Sequence, residues 1–121
     1  MKYIHKIFIA IGAAAIALVT VLVILFSQLQ VFVVMTDSMA PTINSGSRVV
    51  VRRATMDDIN VGDIITFRTD EDMLITHRVV EIEMREDSIM WVITQGDNAN
   101  IVLPDAPFPA EQIVGRVVLV F

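Results

Sequence analysis

Residues Ile7 to Phe26 read IFIAIGAAAIALVTVLVILF and carry no charged side chain. As a helix, about 20 residues rise about 30 Å, the thickness of a bilayer's hydrocarbon core. A helix that is apolar on every side must be enclosed by other apolar material. In a chain of 121 residues too little material remains to enclose it. A cleaved signal peptide would have a shorter apolar region followed by an A-x-A-like site. Phe26-Ser27-Gln28-Leu29-Gln30 follows instead, so an uncleaved membrane anchor is expected.

The basic residues orient it. Lys2 and Lys6 precede the apolar run, and the next basic residue after Phe26 is Arg48. The positive-inside rule then places the N-terminus in the cytoplasm and the rest of the chain across the membrane. Residues 1–27 are read as cytoplasmic tip and anchor, and residues 28–121 as an extracytoplasmic domain. All 14 acidic residues lie in that domain, and the sequence shows no Arg/Lys-rich tract. Nucleic acid is therefore not expected as a partner. Cysteine is absent, which excludes disulfides, thiol catalysis and Cys-based zinc sites.

Beyond the anchor, β-branched and aromatic runs alternate with turn residues. Strands are expected at Gln28–Val34, Ser47–Arg53, Ile64–Arg68, Met73–Met84, Ile89–Thr94 and Ile113–Phe121. In Met73–Met84, strict alternation puts Leu74, Thr76, Arg78, Val80 and Ile82 on one face. Met73, Ile75, His77, Val79 and Glu81 fall on the other. Ala54 to Val61 reads as a polar linker, and Asn100 to Glu111, with three prolines, as a loop. The fold class is mainly β: one transmembrane helix, then a small β-sheet or open barrel. The chain stops on an apolar strand with no polar tail, and more chain beyond Phe121 is compatible with that.

Met35-Thr36-Asp37-Ser38-Met39-Ala40-Pro41-Thr42-Ile43 opens the polar part. Pro41 favours a turn-like or extended backbone that projects the Ser38 hydroxyl. A lone serine is usually a turn or cap residue; as a nucleophile it needs a base. Both lysines precede the anchor, so no Ser–Lys dyad can form within one chain. His5 is excluded in the same way, which leaves His77. An imidazole suits proton transfer near neutral pH, and a carboxylate is needed to orient it. Asp97 and Asp105 are the candidates, each in a loop beside a strand end. A metal site is not expected, since no second His or Cys lies on that side, and no cofactor is expected.

Four segments, in this order, resemble the type I signal peptidases of the archaeal and endoplasmic-reticulum type. They are Thr36-Asp37-Ser38-Met39-Ala40-Pro41-Thr42, Val61-Gly62-Asp63-Ile64-Ile65-Thr66-Phe67, Thr76-His77-Arg78-Val79, and Gly96-Asp97-Asn98 with Asp105 downstream. Ile113-Val114-Gly115-Arg116-Val117 is similar to the family's closing strand. The resemblance implies a serine endopeptidase that removes signal peptides after small residues, with Ser38 as nucleophile and His77 as base. It implies a triad aspartate and a supporting one, assigned here to Asp105 and Asp97. It also implies Met39 in the substrate pocket and a Thr36 hydroxyl that assists the Ser38 amide in binding the oxyanion. The implied partners are signal-peptide-bearing pre-proteins and the lipid bilayer, with room for accessory subunits. The plasma membrane is favoured over the endoplasmic reticulum.

Three other readings compete. One is a membrane-tethered β-domain without chemistry, and another an inactive subunit of a peptidase complex. The third, a self-cleaving regulator of related fold, relies on a lysine that this domain lacks.

Overall fold

The computed structural model describes residues 1–121. Helix α1 spans Lys2–Ser27, and none of its residues is buried. Its 26 residues rise roughly 39 Å, more than the ~30 Å apolar core of a bilayer. The surplus is the first turn and a half, where Lys2, His5 and Lys6 lie. One residue, Gln28, separates α1 from the sheet, and its carbonyl accepts the Arg53 N–H at 2.7 Å. The end of the apolar helix is thereby tied to a strand.

Seven antiparallel strands follow: β1 Leu29–Val33, β2 Arg48–Arg53, β3 Ile64–Arg68, β4 Leu74–Met84, β5 Met90–Gln95, β6 Phe108–Pro109 and β7 Ile113–Val120. Their spatial order is β1-β2-β7-β3-β4-β5-β6, a curled, open half-barrel. The six strands expected from sequence occur within a residue or two of their expected bounds, the usual uncertainty of strand ends.

The curled sheet carries two apolar clusters. One joins Ala54, Ile59, Ile65, Phe67, Val79, Val92 and Phe108. The other joins Met39, Ile43, Val49 and Val51, with Phe32, Val34, Ile64 and Val117 at its margin. Consecutive residues Ile64 and Ile65 belong to different clusters, as alternation along a strand requires.

Three expectations are corrected. A bulge between Val79 and Glu81 breaks the alternation of β4. The extra residue, Val80, turns outward, so Ile82 packs against the same cluster as Val79 and does not share a face with Arg78. The Asn100–Glu111 segment is not loop throughout. Phe108 and Pro109 pair with Val92 and Trp91, and a short 3-10 turn at Ala110–Gln112 follows. Proline is tolerated there because β6 is an edge strand, with no neighbour to receive a second ladder bond. The Ala54–Val61 linker contains a 3-10 turn, Met56–Asp58, whose Thr55 and Asp58 cap each other.

Phe108 closes the first cluster by stacking on Phe67, with ring centroids 4.1 Å apart and planes at 16°. Phe108→Ala should destabilise the domain by about 3–5 kcal/mol. Met84→Ala, at an exposed position, should stay within about 0.5 kcal/mol of wild type. Urea unfolding in detergent, followed by Trp91 fluorescence, measures both.

Candidate active site

Ser38 lies outside the sheet, in the turn that follows β1. Backbone bonds from Ala40 N–H to Asp37 O (3.0 Å) and from Ile43 N–H to Met39 O (2.9 Å) wind this segment. Met39 and Ile43, 0% and 1% exposed, plug it into the second cluster. The strand end at Gly96 fastens it from the other side. Asn98 N–H donates to Ser38 O at 3.0 Å, and Asn98 Nδ2 donates to Asp37 O at 2.9 Å. The Ser38 carbonyl lies so close to Gly96 that any Cβ there would overlap it. Glycine is needed at this point for space and not for an unusual φ.

His77 sits on β4, 8% exposed, opposite Ile65. Its Nε2 is 3.0 Å from Ser38 Oγ, and its Nδ1 is 2.5 Å from Asp105 Oδ2. Asp105 is held at two points by the fully buried Thr94. Thr94 Oγ1 donates to Asp105 Oδ2 at 2.7 Å, and Asp105 N–H donates to Thr94 O at 2.7 Å. Burial pushes the Asp105 carboxyl up, but the hydrogen bonds from His77 and Thr94 outweigh it. The net effect holds Asp105 below the ordinary carboxylate range. An ionised Asp105 can only accept, so Nδ1 carries the proton and Nε2 is free to accept the Ser38 O–H. Thr36 Oγ1 stands 3.1 Å from Ser38 Oγ, placed to donate to it.

Asp97 touches neither of these groups. It takes a bidentate pair from Arg78, Nε to Oδ1 at 2.9 Å and Nη2 to Oδ2 at 2.7 Å. Arg78 Nη1 also donates to Gly62 O at 2.7 Å. The Arg78 hydrogen bonds hold the Asp97 carboxyl below its ordinary range against the opposing effect of burial. Arg78 thus ties the Gly96–Asn98 turn to the turn before β3.

Met39, expected in the pocket lining, is fully buried, and its sulfur accepts the Asp97 N–H at 3.4 Å. It supports the serine turn from below. The groove beside Ser38, about 510 Å³, runs between Phe32–Thr36 and Met73–His77. Both of its walls have unpaired backbone. β1 pairs only with β2, and Leu74–His77 pairs only with β3, because the β5 register begins at Arg78.

Sequence reasoning did not single out Thr94 as a partner of Asp105, nor Gly96 as a contact of Ser38. A threonine within an apolar strand fits β-propensity alone, and a glycine at a strand end reads as a turn. No group of three or more His, Asp or Glu converges on a common point.

A hydroxyl, an imidazole and a carboxylate joined in one hydrogen-bonded line is the arrangement used by serine hydrolases that work by acyl transfer. Comparison with known proteins leads to a narrower class. A family model described as signal peptidase, peptidase S26 matches residues 3–91. The chain is 36% identical over 81 residues to signal peptidase I W of Bacillus subtilis, covering 66% of this chain and 42% of that protein. It is 28% identical over 76 residues to the human signal peptidase complex catalytic subunit SEC11C, covering 62% and 40%. For the signal peptidase complex catalytic subunit sec11 of Dictyostelium discoideum the values are 31% over 78 residues, 62% and 42%. The matched stretch spans about two fifths of these relatives' length. The chain belongs to the peptidase S26 family of signal peptidases.

Two outcomes follow from this geometry. Gly96→Ala should displace the Ser38 carbonyl and slow acylation of Ser38 by a serine-directed inhibitor about tenfold or more, with unfolding temperature changed far less than by Phe108→Ala. The rate of inhibitor labelling beside a melting curve tests this. Asp97 and Asp105 have folded-state pKa values below the ordinary value of 3.8. They therefore contribute stability that is present above that value and lost as pH falls through the depressed ones. Urea midpoints should drop below about pH 4, and Asp97→Asn should flatten that drop while lowering the neutral-pH midpoint.

Proposed function

We propose that this chain is a membrane-anchored serine endopeptidase that removes signal peptides from exported pre-proteins after small residues. Ser38 is the nucleophile and His77 the general base. The carrying observation is the line from Ser38 Oγ through the His77 ring to Asp105, at 3.0 and 2.5 Å.

The mechanism follows from the donors and acceptors. His77 Nε2 takes the Ser38 proton as Oγ attacks the scissile carbonyl carbon. Asp105 compensates the imidazolium and keeps the ring oriented. Negative charge grows on the carbonyl oxygen, where the Ser38 N–H and the Thr36 O–H act as donors. The tetrahedral intermediate collapses, the C–N bond breaks, and His77 gives its proton to the leaving amine. A water then attacks the acyl ester, His77 accepts its proton and returns it to Ser38. Asp97 acts through Arg78 and the Gly96–Asn98 turn by holding the serine in place.

The substrate enters as an extended peptide. Two unpaired strand edges flank the groove, and a peptide backbone laid between them gains main-chain hydrogen bonds on both sides. Helix α1 is the anchor, with its lysine-bearing end in the cytoplasm and residues 28–121 outside. Tethering confines the site to the surface where signal peptides emerge and raises their effective concentration without new contacts. Two of the similar proteins are named as catalytic subunits of a complex, and accessory subunits belong to the same reading.

Ser38→Ala and His77→Ala should each lower the rate of pre-protein cleavage by about 10⁴-fold or more, with unchanged circular dichroism. Gel-shift assays in lipid-detergent micelles measure this. A His77→Ala protein that cleaves at the wild-type rate would refute the base assignment.

A further inference from the structure

Two threonines are buried in the sheet, and their hydroxyls are satisfied in different ways. Thr66 stands opposite Thr76, and the two hydroxyls bond across the strands at 2.7 Å. That is ordinary cross-strand pairing. Thr94, 0% exposed, stands opposite Val79, which offers it no partner. A buried hydroxyl costs free energy unless it is bonded, and valine has the same shape without that cost. The Thr94 hydroxyl has one partner, Asp105 Oδ2.

This placement sets Thr94 beside the base. Val79 and Thr94 are directly opposed, so they share a face. His77 lies two residues before Val79 and ahead of the bulge, so alternation puts it on that face too. Asp105 Oδ2 therefore receives two donors from one face of the sheet, His77 Nδ1 at 2.5 Å and Thr94 Oγ1 at 2.7 Å. The threonine hydroxyl thus selects the oxygen that meets the ring.

Little else fixes Asp105. Residues 102–104 and 106–107 are exposed, so apolar packing does not hold this part of the loop. The bond from Asp105 N–H to Thr94 O is the one backbone hydrogen bond made by residues 102–107. With the hydroxyl bond it closes a ring in which Thr94 holds both the main chain and the side chain of Asp105. The backbone half of that ring survives a change of side chain at Thr94, and the hydroxyl half does not.

We infer that Thr94 is a positioning residue for the peptidase reaction: its hydroxyl holds Asp105 Oδ2 at His77 Nδ1, so that the ring is aligned with Ser38 before substrate arrives. It acts through Asp105 and touches no reacting atom. The groove beside Ser38 is not lined by Thr94, so its effect falls on the chemical step and not on binding. The inference rests on the reading of Ser38, His77 and Asp105 as the catalytic triad.

The test uses the full chain in lipid-detergent micelles, as wild type, Thr94→Val and Thr94→Ser. Acylation of Ser38 by a serine-directed inhibitor over a range of concentrations separates the maximal rate from the half-saturating concentration. The chain has two histidines, so NMR of protein with isotope-labelled histidine reports the His77 Nδ1 proton. That proton resonates far downfield while it is held in a short, charge-assisted bond. Thr94→Val should lower the maximal rate about 10- to 100-fold and leave the half-saturating concentration within about twofold of wild type. The downfield resonance should broaden or vanish. Thr94→Ser keeps the donor and loses a buried methyl, and it should recover most of the rate and the resonance. If Thr94→Val keeps both the wild-type rate and the resonance, the inference is overturned and the triad stands. Equal losses in Thr94→Val and Thr94→Ser, in step with their melting temperatures, also overturn it, because packing and not the hydroxyl is then responsible. If wild-type Ser38 is not acylated and no downfield resonance is found, the triad reading fails and the inference falls with it.

Discussion

The imidazole of His77 is hydrogen-bonded at both nitrogens, and most of the site's architecture serves that pair of bonds. One partner, Ser38, lies on a turn outside the sheet. The other, Asp105, lies on a loop after β5. Neither segment is positioned by the strand ladder, so each needs its own fastening. The serine turn is held by two buried side chains, Met39 and Ile43, and by the Gly96–Asn98 backbone. The aspartate loop is held by Thr94 through both its hydroxyl and its carbonyl. Burial pushes the Asp105 carboxyl up, and the donors from His77 and Thr94 outweigh it. The orientation of the ring therefore rests on a carboxylate that a buried threonine holds in place.

An ion pair gives the other aspartate, Asp97, a different partner. Arg78 follows His77 directly, and alternation turns it to the opposite face. There it engages Asp97 through two hydrogen bonds and reaches the Gly62 carbonyl. Such a planar, bidentate pair restrains geometry more than a single contact would. It braces the same turn that carries Gly96 beneath the Ser38 carbonyl.

Much of this was legible in the residues. The apolar run marks α1, and β-branched runs between turn residues mark six of the seven strands. The absence of lysine beyond the anchor leaves a single imidazole in the domain. What stayed hidden depends on tertiary contact. Asp97 and Asp105 are equivalent as loop carboxylates, and only the packing against Arg78 and Thr94 tells them apart. The bulge at Val80 leaves no mark, because Val79-Val80 fits either phase of the alternation. Phe108 lies between two prolines and so reads as loop, yet its ring completes a core cluster. Met39 beside the serine suggests a pocket wall, and its burial comes from the curl of the sheet over the turn.

The reactivity of Ser38 toward a serine-directed acylating inhibitor, mapped by mass spectrometry on the full chain in lipid, tests the central claim most directly. A single adduct on Ser38 in the wild type, absent after His77→Ala, is the expected result. An unlabelled Ser38 in protein that cleaves substrate, or labelling that persists unchanged without the imidazole, would contradict it.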